Sequence, residues 1–260
     1  MAIRPALVLA LLCAAGAPAE AAYFGTVELV TGEVTVRTAD GRTLTPRVGD
    51  GIESGAELVT GNGEFHVETA DSGLVALRPN TRLRVAEYRA EGGELDTQVL
   101  ALLRGTFRSI TGWIGRHNTA RYRVTTPTAT IGVRGTDHEP GYLLAEDVAA
   151  TGEEGLEPGT YDKVNEGATF IENDAGRVDL EPNEAGFAHA RRVRPARLAK
   201  VPRFFKGTRH EKRIRARREA LRQVIEERRE QRKAWLKEKR ERAKERREQR
   251  KERRQQKDRD

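Results

Sequence analysis

Asp137, His138 and Glu139 stand in a row near the end of the stretch TTPTATIGVRGTDHEP, which runs from Thr125 to Pro140. Carboxylates beside an imidazole are the residue types of general acid–base and of metal chemistry. Their spacing restricts both uses. On an extended chain successive side chains point to opposite faces, so Asp137 and Glu139 can converge while His138 points away. A zinc site needs three or four converging ligands, and His66, His117, His189 and His210 fall in no ligand spacing with this trio. The spacing predicts a polar turn that ends the strand at Pro140. The alternative is a weak hard-cation site shared with Glu146, Asp147, Glu153 and Glu154, although no calcium-loop spacing is present.

Other chemistry has less support. The serines are Ser54, Ser72 and Ser109, and none sits in a G-x-S-x-G elbow. No phosphate-binding or dinucleotide glycine loop occurs. Cys13 is the sole cysteine, so neither a disulfide framework nor a cysteine-based zinc site is available. The expectation is a protein without catalysis, cofactor or metal.

The elements that must position these residues are read from periodicity. From Tyr23 to about Thr111 apolar and polar residues alternate, as in TVELV, EVTVRT, EFHVET and TRLRVAEY, with glycine, aspartate or asparagine turns between them. Strands recurring every 8–12 residues or so predict an all-β domain, a roll, sandwich or solenoid-like stack. In LALLRGTFRSI two strands are expected to meet at Gly105. In TTPTATIGVRGT, Ala129, Ile131 and Val133 share the face expected to be buried, while Thr128, Thr130, Gly132 and Arg134 share the other, with Gly132 leaving room for a neighbouring backbone.

The chain divides into five expected parts. Residues 1–22 read as a cleaved signal peptide: one arginine, an apolar run too short to span a bilayer, then Ala19-Glu20-Ala21 as the cleavage pattern. Residues 23–140 form the β-core, 141–167 an acidic glycine-rich surface loop, and 168–206 closing strands and an extended segment in which Leu198, Val201, Phe204 and Phe205 pin the chain to the body. Residues 207–260 form one long helix that begins at a Thr208-x-x-Glu211 capping box and meets no further glycine or proline.

Charge separates body from tail. Residues 207–260 hold 24 Lys/Arg against 12 Asp/Glu, a net of +12, so residues 1–206 carry −5 of the chain's +7. Ile214, Leu221, Val224, Ile225, Trp235 and Leu236 make a poor apolar stripe, which predicts a highly charged, solvated single helix rather than a stable coiled coil. Such a helix attracts polyanions. With Trp235 as its lone aromatic it is not expected to read nucleic-acid sequence. The expected partner-binding cations are Arg213, Arg217, Arg228, Arg232, Lys239, Arg246 and Arg250.

A set of motifs in fixed order resembles the FecR domain family. The matching residues are Gly25 to Val27, Gly32 to Val34, Gly49-Asp50, Leu58 to Gly61, Pro79 to Thr81, Gly105 to Arg108, and Val124 to Thr136, over roughly residues 24–140. GTYDKVNEG and GRVDLEPNEAGFA also resemble the distal part of secreted, single-domain members. The resemblance implies an all-β domain of the bacterial envelope with no known catalysis, periplasmic or secreted. In the founding type of member a cytoplasmic anti-sigma segment and a membrane helix precede the domain, which relays an iron-transport signal. Here a signal peptide alone is expected before it. Two readings follow. One is an interaction or scaffold module whose basic tail meets an unknown envelope protein, an anionic polymer or a lipid. The other is a periplasmic signal-sensing module related to iron-transport signalling.

Overall fold

The computed structural model describes residues 22–257, apart from 118 and 206, and the side chains of these except 117, 232 and 247–257. The expected signal peptide lies outside the described residues, save Ala22.

The strands in chain order are β1 (Tyr23–Val30), β2 (Val34–Arg37), β3 (Thr43–Leu44), β4 (Gly51–Glu53), β5 (Glu57–Thr60), β6 (Phe65–Thr69), β7 (Leu74–Leu77), β8 (Arg82–Arg89) and β9 (Thr97–Ile110). A short helix, α1 (Ile114–His117), and a 3-10 turn lead to β10 (Tyr122–Thr125) and β11 (Thr130–Leu143). Helix α2 (Ala145–Thr151) precedes β12 (Gly159–Asn173), β13 (Gly176–Leu180), β14 (Ala185–Ala188) and β15 (Ala196–Arg197). Helix α3 (Glu211–Lys257) ends the described chain.

Among the described residues all fifteen strands join one sheet, one path through which runs β15-β14-β12-β11-β10-β9-β7-β6-β1-β4. The all-β expectation holds for the body. The strand order does not advance by a regular step, as the stacked coils of a solenoid would.

Two long strands act as spines because each changes partners half-way. The first half of β9 pairs with β8 and, in parallel, with β10; its second half pairs with β7 and β11. The change falls at Gly105, where φ is +84° and an added Cβ would lie 2.6 Å from the Asn80 carbonyl. Gly105 therefore bends one strand instead of separating two. In β11, the segment 130–132 pairs with β10, and residues from Asp137 onward pair with β9.

The strand does not turn at Asp137–Pro140 as its sequence predicts. Gly135 (φ +61°) lies in a bulge in the β11–β12 ladder, after which the strand resumes to Leu143. Pro140 is tolerated because the β9 register skips Glu139 and Pro140, so the missing N–H falls where that ladder is already open. The expected loop over 141–167 is also shorter. Its last nine residues belong to β12, where Thr160, Tyr161, Asp162 and Val164 are buried. Both faces of this stretch carry polar groups, which hides the period of two.

The main core gathers Phe24, Phe65, Leu77, Leu83, Leu100, Phe107, Tyr122, Ile131 and Ile171, among others. Ala129, Ile131 and Val133 are in it, as their alternation predicts. Gly132 makes room for the Phe170 side chain rather than a backbone: an added Cβ would fall 2.0 Å from that ring. Leu198, Phe204 and Phe205 pack with Leu143 and Tyr161 in a separate cluster, whereas Val201 is exposed.

Candidate functional site

Asp137 and Glu139 converge, and the strand alternation that brings them together sends His138 to the opposite face. Neither carboxylate is free. Arg108 on β9 clasps Asp137 in parallel, Nε to Oδ1 and Nη2 to Oδ2, both at 2.7 Å. Arg78 and Lys163 hold Glu139 by charge-assisted bonds, the second at 2.9 Å. Asn165 donates to both, 3.2 Å to Asp137 and 3.1 Å to Glu139. Burial alone would raise the Asp137 carboxyl. The bonds from Arg108, its charge, Asn165 and the charge of Arg218 outweigh it and hold Asp137 below its ordinary value.

The other face carries a second polar group. His138 Nδ1 lies 2.9 Å from Asp162 Oδ1, and Thr169 donates to Asp162 Oδ2 at 2.6 Å. Ser109 hydrogen-bonds the Tyr122 hydroxyl, and the Tyr122 ring stands edge-on to His138 at 6.4 Å. Burial pushes the Tyr122 hydroxyl well above its ordinary value. Serine, histidine and aspartate are thus neighbours, but Ser109 is engaged by tyrosine and all four side chains are sealed from solvent. The arrangement joins strands and has no opening for a substrate.

The acidic segment after Leu143 is likewise engaged. Arg104 bridges Glu146 and Asp147, Asp147 accepts from the Leu144 amide at the start of α2, and Glu153 accepts from the Arg203 amide. Among the described residues no three His, Cys, Asp or Glu side chains converge as a metal ion would require.

The charged lattice does something else: it receives α3. Arg108 Nη1 reaches Glu211, the first residue of that helix, at 2.8 and 2.9 Å. Glu211 is therefore drawn to the body instead of closing a capping box with Thr208. Arg218 lies 3.3 Å from Asp137, Arg222 donates to Glu166 at 2.6 Å, Arg217 pairs with Glu68 and lies 3.8 Å from Glu28, and Arg213 donates to the Glu28 carbonyl. Ile214 and Leu221 are buried against Leu74, Ala76 and Ile110, with Ile225 beside them. Arg228 stacks over the Trp113 ring at 3.7 Å. The expectation of a solvated helix therefore fails for its first turns: Ile214, Leu221 and Ile225 are seven and four residues apart and make one narrow face. That spacing was visible in sequence, whereas the acidic rim that meets it was not.

Beyond this contact the helix changes character. Every described residue from Glu226 to Arg246 is exposed. Lys239 lies over the exposed Trp235 ring at 4.8 Å, and acidic residues are answered within the helix, as in Glu238–Arg242 and Glu241–Lys244. Of the seven expected partner-binding cations, Arg213, Arg217 and Arg228 point back at the body, and Lys239 and Arg246 lie on the projecting part. The side chains of Arg232 and Arg250 are outside the described residues. Among the described helices none is long and apolar enough to cross a membrane.

Residues 56–150, from the strands under this site through α2, match the family model described as FecR protein. This segment is a FecR domain. No curated protein matches the sequence. Among solved structures, similar chains include two crystal structures of a protein described as a "putative anti-sigma factor" from Parabacteroides distasonis ATCC 8503. Each is 16% identical, with TM-scores of 0.41 and 0.42, and the likeness covers 55% of this chain and 59% of that one. The matched FecR domain contains Arg78, Arg108, Asp137 and Glu139, and so most of the charged lattice that receives α3.

Proposed function

We propose that the chain is a non-catalytic interaction module of the bacterial cell envelope, in which the FecR domain is a folded platform and the projecting half of α3 binds an anionic polymer or lipid surface. The division within α3 carries this reading. Its first turns spend their arginines on Glu28, Glu68, Asp137 and Glu166. Residues 229–257 hold 15 Lys/Arg against 6 Asp/Glu, a net of +9. A helix of 47 residues is about 70 Å long, so that charge stands well out from the body. Polyanion binding by such a segment is driven by counterion release and falls steeply with salt. A body of residues 23–206 with a helical tail from Gly207 belongs to the same proposal, with export directed by residues 1–22.

The test compares the full chain with a variant in which Lys237, Lys239, Arg240 and Arg246 are glutamine. Binding to phosphatidylglycerol vesicles and to lipopolysaccharide is measured at low and physiological salt. The variant should bind more weakly and with a shallower salt dependence; equal binding by both chains overturns the proposal.

The FecR match favours a second reading, a signal-sensing module of the periplasm related to iron-transport signalling. Cross-linking of the full chain in envelope preparations separates the two. Capture of an outer-membrane receptor or a sigma-regulating membrane protein, undiminished in the glutamine variant, would favour the second.

A further inference from the structure

The contact between α3 and the FecR domain contains a buried polar group that the charged lattice does not satisfy. His66 on β6 is 1% exposed, and neither ring nitrogen has a hydrogen-bond partner. Its ring meets that of His210, one residue before α3, edge-on at 5.7 Å, and the His210 Nε2 is also buried without a partner. Arg213, one turn into the helix, adds positive charge beside the pair. Glu64 stands 3.5 Å from His66 Nε2 without forming a hydrogen bond.

The other charges at this contact are already matched. From β1, Glu28 faces Arg217, and on β6 itself Glu68 pairs with Arg217. From β9, Arg108 is shared between Asp137 and Glu211, and Arg218 adds to Asp137. β7, which pairs His66 with Ala76, is Leu74–Leu77 and has no titratable side chain. A proton on His66 would therefore meet Glu64 as its one uncommitted carboxylate, against Arg213 and the His210 ring.

We infer that docking of α3 on the FecR domain is an acid-sensitive latch: protonation of His66 releases the start of the helix. The inference does not depend on what the projecting half of α3 binds. In the docked state burial, then His210 and Arg213, lowers His66 to about 4. Once the helix lifts away, the ring meets water and returns toward about 6.5. The docked pKa lies below the released one, so docking is at full strength above pH about 6.5 and weakens as pH falls. Release takes up one proton, and the docking constant drops about tenfold per pH unit between these values. A rotation or lift of the first turns suffices, because α3 reaches the body through Gly207.

Amide hydrogen exchange of residues 211–225 in the full chain, corrected for the chemical rate, reads the latch directly. Between pH 6.5, where the released ring is already half protonated, and pH 5.0 protection should fall about 15-fold, while β12 stays protected. The floor of pH 5.0 keeps the Glu211 carboxylate charged throughout. In His66→Gln protection should change less than threefold. Arg213→Gln removes one source of repulsion without touching the buried ring, and should show a fall between the two. Level protection in the parent chain, an unchanged fall in His66→Gln, or in Arg213→Gln a fall equal to the parent's, would each overturn the latch.

Discussion

Arg108 holds Asp137 by two parallel hydrogen bonds of 2.7 Å and uses its remaining nitrogen for Glu211 at 2.8 Å, so one buried guanidinium ties β9, β11 and α3 together. Arg108 closes the Gly105 to Arg108 motif, and Asp137 directly follows Val124 to Thr136. The fork geometry of arginine suits both duties, since a lysine offers a single point of charge. The same guanidinium is thus a piece of the β-domain and the seat of the tail.

Removing the guanidinium strands a buried carboxylate. Arg108→Leu should destabilise the folded chain by about 3–5 kcal/mol, the usual cost of breaking a buried ion pair from one side. Urea unfolding followed by far-ultraviolet circular dichroism measures it. The pair Arg108→Leu with Asp137→Leu should recover part of the loss, because the buried carboxylate goes with its guanidinium, while Glu211 keeps Arg215 and gives up only the Arg108 bond.

Leu221 makes a different prediction, because the helix can leave without unfolding the sheet. Leu221→Asp puts a charge against Leu74, Ala76 and Ile110. Hydrogen exchange in 211–225 should rise at least tenfold, while the unfolding midpoint of the β-domain moves little. A matching drop in that midpoint would mean that α3 is part of the domain's cooperative unit.

Much of this architecture can be read from residues close in sequence. Alternation locates β1, β6, β8 and the inward face of β11, and period two alone brings Asp137 and Glu139 together. What escapes is whatever depends on distant partners. DHEP reads as a turn because three polar residues and a proline rarely continue a strand; it continues one because Arg108, Lys163 and Asn165 on other strands, and Arg78 just after β7, answer its charges. β12 is concealed for the same reason, since its buried Asp162 and Thr160 look like surface residues. The docking of α3 depends on Glu28 and Glu68, which lie more than 140 residues before it in the chain.

Gly132 shows how tightly β11 and β12 are fitted. Gly132→Ala places a methyl carbon about 2.0 Å from the Phe170 ring, which Arg177 covers from its own side at 3.6 Å. Overpacking of this kind costs about 1–3 kcal/mol. Thermal unfolding should show the loss, and Phe170→Leu in the same chain should restore part of it, a coupling a merely local backbone effect would not give.

The charged seat also sets an acid limit that is separate from His66. Burial would raise Glu211, but the bonds and charge of Arg108, with Arg215, hold it below its ordinary value, as Arg108 does for Asp137. Both are carboxylates with a folded pKa under the unfolded one. Their stabilisation is thus complete above the unfolded values, about 4.3 and 3.9, and is lost as pH falls through the lower folded values. The unfolding midpoint of the parent chain should accordingly decline below pH about 4. Asp137→Asn should start from a lower stability at pH 7 and lose less on further acidification, because the amide has no proton to take up. If the parent chain and Asp137→Asn decline in parallel between pH 5 and pH 3, Asp137 is not a source of the acid limit.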